Sequence, residues 1–202
     1  MSEVASLPPV SLYQLATAAN PLCLDQRSLE RIAERRSMTA LDVAELVAFL
    51  EENGLEIYLD GGWAVDAVLG EQTRPHDDLD IAMPHAQVPQ LRRLVASRGF
   101  VERYRDDSWE CNFVLVDDGG RCLDVHSYTL DEAGHNRGGV PYSREHLTGR
   151  GVIAGQPVRC VPPDWLVKFH TGYAVDEKDW RDVRRLCERF NVAIPAAFSK
   201  FR

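Results

Sequence analysis

The chain has 202 residues, 45% hydrophobic and 27% charged, enough to bury the core of one large domain or two small ones. Its 23 Lys and Arg against 31 Asp and Glu leave a formal net charge of −8, the reverse of the clustered basic excess of polyanion binders, so long nucleic acid is not an expected partner. Five cysteines without a CxxC pair, a start that lacks a basic and then apolar leader, and no bilayer-length apolar run argue against a disulfide framework or a membrane anchor and set the expectation of a cytoplasmic protein.

Residues 1–36 open on Leu7-Pro8-Pro9 and carry Leu24, Leu29 and Ile32 in a helical lead-in without a readable role. A core over 37–130 and a C-terminal hairpin and helical region over 131–202 are expected to follow. Thr39-Ala40-Leu41-Asp42 has the spacing of a capping box, and Leu41, Val43, Leu46, Val47 and Leu50 continue at helical intervals until Gly54. Residues 56–59 read as a short strand, Gly61-Gly62 as a tight turn, and residues 63–69 as a helix closed by Gly70.

Asp78-Leu79-Asp80-Ile81-Ala82-Met83 alternates as a strand with both aspartates on one face, ended by Pro84. Val88, Leu91, Leu94 and Val95 predict a helix up to Gly99, and residues 113–116 and 122–125 read as strands joined by Asp117-Asp118-Gly119-Gly120. A Gly-rich stretch at Gly138-Gly139 precedes a hairpin over 151–160 with its turn near Gly155-Gln156. Helices over about 163–173 and 176–190 finish the chain. The fold class expected is α/β (α+β), with no internal repeat.

Two carboxylates at i and i+2 on one strand repel unless a cation sits between them, and magnesium takes hard oxygen ligands from protein and triphosphate together. Asp78 and Asp80 are therefore metal candidates. Asp124, on a strand of the same sheet, is a candidate third ligand or the base for an attacking hydroxyl. Gly61 and Gly62, opening a helix without side chains, can admit phosphate oxygens to backbone N–H groups, though a diglycine is more often only a turn. Arg74 and Lys168 are candidates for neutralising pyrophosphate, with plain surface cations as the alternative. No GxxxxGK[ST], GxGxxG, HExxH or GxSxG occurs, and the six histidines show no zinc spacing. His126 alone among them is kept as a substrate-side candidate.

The runs Leu59-Asp60-Gly61-Gly62-Trp63-Ala64-Val65-Asp66 and Thr73-Arg74-Pro75-His76-Asp77-Asp78-Leu79-Asp80 resemble the signature of antibiotic nucleotidyltransferases. With Asp107-Ser108-Trp109-Glu110-Cys111-Asn112, Leu123-Asp124-Val125-His126 and Val167-Lys168-Phe169-His170-Thr171-Gly172-Tyr173, the likeness spans roughly residues 40–195 and is greatest to the lincosamide nucleotidyltransferases. It implies a polymerase-beta-like core with a mixed sheet, followed by helices that close the substrate cleft. It also implies Mg2+ and ATP or another NTP, held by Gly61, Gly62, Asp78, Asp80 and Asp124. Trp109, Glu110, His126 and Tyr173 are the substrate-side candidates. Aminoglycoside enzymes tend to have a carboxylate where this chain has His126, which argues against a strongly cationic acceptor. A small-molecule hydroxyl is the expected acceptor, a lincosamide first. An aminoglycoside, a protein side chain, or a non-catalytic nucleotide-binding regulator are the alternatives, and a homodimer is allowed.

Overall fold

A computed structural model describes residues 37–201; the lead-in over 1–36, with Cys23, lies outside them. The first helix, α1 (Ala40–Glu52), starts where the sequence says: the Thr39 hydroxyl accepts from the Asp42 N–H at 3.2 Å, and the Asp42 carboxylate accepts from the Thr39 N–H at 2.9 Å. Val43, Leu46, Val47 and Leu50 are its buried face.

The chain continues through β1 (Tyr58–Leu59), α2 (Gly61–Leu69), β2 (Leu79–Pro84), α3 (Val88–Ala96), β3 (Val101–Arg103), β4 (Asn112–Val116), β5 (Cys122–Leu130), β6 (Asn136–Gly139), β7 (Gly149–Ile153), β8 (Gln156–Cys160), α4 (Pro163–Phe169) and α5 (Glu177–Phe190). The strands form one mixed sheet in the order β3-β4-β5-β2-β1-β8-β7, with β6 paired to the end of β5. Two pairings, β2 with β5 and β1 with β8, are parallel. Strands from both sides of residue 130 thus share one sheet.

Several local expectations are corrected. Gly61 and Gly62 are not a turn before a helix but its first turn, because the Asp60 side chain accepts from the Gly61 N–H and starts α2 two residues earlier. The Gly-rich stretch at Gly138-Gly139 is strand β6, and the short, fully exposed edge strand β3 had no apolar alternation to reveal it. The hairpin turns at Ala154 and Gly155, both with positive φ, so Gln156 already opens β8. Helix α4 stops at Phe169, where the Thr171 hydroxyl donates to the Lys168 carbonyl.

Leu79, Ile81, Leu123 and Val125 are fully buried and point one face of β2 and β5 into the core. No helix among the described residues is long and apolar enough to cross a membrane. Helix α2 lies so close to β7 that a Cβ on Gly151 would meet the Ala67 carbonyl carbon at 2.4 Å. Gly151→Ala is expected to destabilise the fold by about 1–3 kcal/mol through this overpacking, read as a lowered urea midpoint at unchanged slope.

Candidate active site

The site is built by strand register. In the parallel pair, Asp80 stands opposite Asp124 and Ala82 opposite His126, so the two aspartates and the histidine emerge side by side on the face away from the core. One ligand atom from each of Asp80, Asp124 and His126 lies within 4.8 Å of the others. The His126 Nε2 is 3.6 Å from Asp80 Oδ1 and 3.9 Å from Asp124 Oδ1.

Burial pushes the Asp124 carboxyl above its ordinary range, with the Asp80 charge adding to the rise and His126 and Arg105 opposing it. Burial works against charge on His126 too, but the surrounding Asp80, Asp124 and Asp60 carboxylates outweigh it and raise its pKa. Arg105, in the loop between β3 and β4, donates from Nη1 to Asp124 Oδ2 at 2.8 Å. That leaves Asp124 Oδ1 buried and without a hydrogen-bond partner, a carboxylate oxygen positioned for a cation or a proton donor. The donor set of two carboxylates therefore fits a divalent cation, with imidazole as a third neighbour.

Helix α2 presents its N-terminus to this cluster. Gly61 has φ +56°, and a Cβ there would sit 2.2 Å from Asp80 Oδ2, so only glycine allows the helix and the carboxylate to approach. A Cβ on Gly62 would meet the His76 ring at 2.3 Å. His76 is itself fixed by Asp66, Nε2 to Oδ2 at 2.5 Å. Asp60 accepts from Gly61 N at 2.7 Å and from the Tyr142 hydroxyl at 2.5 Å. Burial raises its pKa against those two hydrogen bonds.

Asp60, Gly61, Asp80 and His126 form the floor of an open cleft of about 240 Å³, and Phe169, His170 and Tyr173 from the end of α4 line its other side. Of the predicted residues, Gly61, Asp80, His126 and Tyr173 line this cleft, and Asp124 lies beside it in the cluster. Asp78 is half-buried one residue before β2 and outside the three-residue cluster. Arg74 bonds Asp182 of α5, Nη2 to Oδ2 at 2.8 Å. Lys168 is exposed with Nζ 3.7 Å above the Trp165 ring. Trp109 and Glu110 are exposed beside the start of β4, where Trp109 bridges to Asn112. Sequence reasoning missed Asp60, Tyr142 and Arg105. Asp60, directly before the diglycine, carried the signal of an N-cap; the other two meet the site only through tertiary contacts.

The model of the aminoglycoside-2''-adenylyltransferase family matches residues 42–186. A 2''-aminoglycoside nucleotidyltransferase of Klebsiella pneumoniae is 30% identical over 150 residues, which are 68% of this chain and 77% of that protein. A lincosamide resistance protein of Staphylococcus haemolyticus is 23% identical over 159 residues, 76% of this chain and 97% of that one. The crystal structure of the lincosamide antibiotic adenylyltransferase LnuA, lincomycin-bound, shares the fold with a TM-score of 0.65 at 21% identity, over 75% of this chain and 98% of its own.

Gly61→Ala is expected to push the Asp80 carboxylate out of place. Nucleotidyl transfer should fall by about 10²-fold, while circular dichroism and the unfolding midpoint show the protein still folded.

Proposed function

The chain belongs to the aminoglycoside-2''-adenylyltransferase family, and from that premise we propose that it transfers AMP from magnesium-bound ATP onto a hydroxyl of a small antibiotic, a lincosamide by preference. The observation that carries the reading is the Asp80–Asp124 register at the N-terminus of α2, two carboxylates side by side in an open cleft.

Asp80 and Asp124 are the residues that would hold the cation, with Asp78 at the entry to β2 as the third carboxylate; the cation supplies neutralisation of triphosphate charge. The α2 N-terminus, with Gly61 and Gly62 in its first turn, offers backbone N–H groups and its dipole to phosphate oxygens. Asp124 Oδ1, buried and unpartnered, accepts the proton of the acceptor hydroxyl as that oxygen attacks the α-phosphorus and pyrophosphate leaves. Arg105 holds the opposite carboxylate oxygen and so fixes which one faces the hydroxyl. Lys168, on the helix that ends in the cleft wall, is the proposed cation for pyrophosphate, whereas Arg74 braces the cleft through Asp182. Phe169, His170 and Tyr173 supply the acceptor side of the cleft.

The acceptor preference rests on His126, an imidazole rather than a carboxylate two residues after Asp124 on the cleft floor, and on the aromatic lining from Phe169 and Tyr173. Both suit a partly apolar acceptor better than a polycation. The family match and the Klebsiella pneumoniae relative favour a second reading, an aminoglycoside acceptor.

Pyrophosphate release from ATP and magnesium with lincomycin, clindamycin or tobramycin separates the two. Release dependent on a lincosamide is expected, and release with tobramycin alone moves the acceptor to aminoglycosides. Asp80→Asn and Asp124→Asn should each lower turnover by about 10²-fold or more with the fold unchanged. Asp78→Asn should do the same, and a near-normal rate there would remove Asp78 from the metal site.

A further inference from the structure

A second cavity, of about 470 Å³, opens on the sheet face that carries the catalytic carboxylates, and its lining shares no residue with the cleft. Its place follows from register. Pro84 pairs with Tyr128, four residues along β2 and β5 from Asp80 and Asp124, or about 13 Å at the usual rise of a strand. Tyr142 touches both regions: its ring packs edge-on against Tyr128 at 5.7 Å, and its hydroxyl donates to Asp60.

We propose that this cavity, walled by Glu56, Tyr58, Tyr128, Leu130 and Leu147, is a binding site for an apolar small molecule that carries an ammonium group.

The chemistry of the wall selects that class. The Glu56 carboxylate accepts from the Tyr58 hydroxyl at 3.0 Å and has further lone pairs to offer. The Tyr128 hydroxyl is buried and has no hydrogen-bond partner among the described residues, although buried hydroxyls ordinarily have one. Burial, and then the nearby Glu56 charge, hold this phenol protonated far above its usual range. A donor-rich cation answers both oxygens at once, and two phenol rings add the attraction of their faces for positive charge. Pro84, Leu130 and Leu147 supply apolar surface for the rest of the molecule.

The positive groups around the cavity hold partners other than that carboxylate, and Arg144 in the lining, bound to a neutral carbonyl, keeps its charge. Arg144 donates to the Glu132 carbonyl at 2.7 Å. Arg159, 5.3 Å from the Tyr58 ring, is paired with Glu51. The His85 Nδ1 lies 2.9 Å from the Ser127 hydroxyl.

The test uses the whole protein and phenethylamine as probe, with 2-phenylethanol as its uncharged counterpart, followed by saturation-transfer NMR. Phenethylamine should bind with a dissociation constant on the order of millimolar, as a fragment does. Glu56→Gln should weaken it about tenfold or more, and Tyr128→Phe, which keeps the ring and the packing, should weaken it measurably. Asp124→Asn in the catalytic cleft should leave binding unchanged. The proposal is overturned by no binding, by equal binding of 2-phenylethanol, by indifference to Glu56→Gln, or by loss on Asp124→Asn. None of these outcomes touches the reading of nucleotidyl transfer, which is measured separately by pyrophosphate release.

Discussion

The parallel pairing of β2 with β5, in the one register that sets Asp80 against Asp124, is the constraint on which the rest of the structure depends. Charges do not choose this register. Two carboxylates about 4 Å apart repel by about 1 kcal/mol in water and by about 4 kcal/mol at the effective dielectric of a protein surface. The opposite face chooses it: Leu79, Ile81, Leu123 and Val125 are wholly buried, and a slip of one residue would carry all of a strand's apolar side chains to the solvent face. Core packing therefore holds the acidic pair together, and the surrounding groups lessen the repulsion. Arg105 takes one oxygen of Asp124, and His126 sits within 4 Å of both carboxylates.

A third acid, Asp60, sets the N-terminus of a helix against the same cluster. Its side chain caps the Gly61 N–H and so begins α2 at the end of β1, beside Asp80. The Tyr142 hydroxyl satisfies its other oxygen. The diglycine then serves closeness on two sides, Gly61 toward Asp80 and Gly62 toward His76. The helix N-terminus stays open through the same lack of side chains that lets sheet and helix approach.

What the sequence revealed depended on how local the determining interaction is. The capping box at Thr39 and Asp42, the alternation that turns Asp80 and Ile81 to opposite faces, and the pairing of β7 with β8 all lie within a few residues, and each was legible. The mixed sheet and the nucleotidyltransferase reading rested on motif resemblance and stand with the family match and the solved fold. Interactions that span long separations were not legible. Arg105 reaches Asp124 across 19 residues, Tyr142 reaches Asp60 across 82, and Arg74 reaches Asp182 across 108. Strand β6 was hidden for another reason: Gly138 and Gly139 have no side chains to alternate, and a Cβ on Gly139 would strike the Ser127 carbonyl oxygen at 2.3 Å.

Arg74, read as a phosphate ligand, lies beside Gly62 and is also tied into the packing around the site. Its guanidinium is bound to Asp182, which is almost fully buried on α5. The same carboxylate lies 3.9 Å from His170 Nε2, and His170 lines the cleft with Phe169 and Tyr173. Arg74 itself belongs to the loop that leads into β2, and Thr73 beside it is tied to Asp66 of α2 through both its N–H and its hydroxyl. The carboxylate floor and the aromatic wall thus come from distant parts of the chain but are joined by one buried charge. An uncompensated charge at that depth is costly, so the Arg74–Asp182 pair ties the loop that leads into β2 to α5.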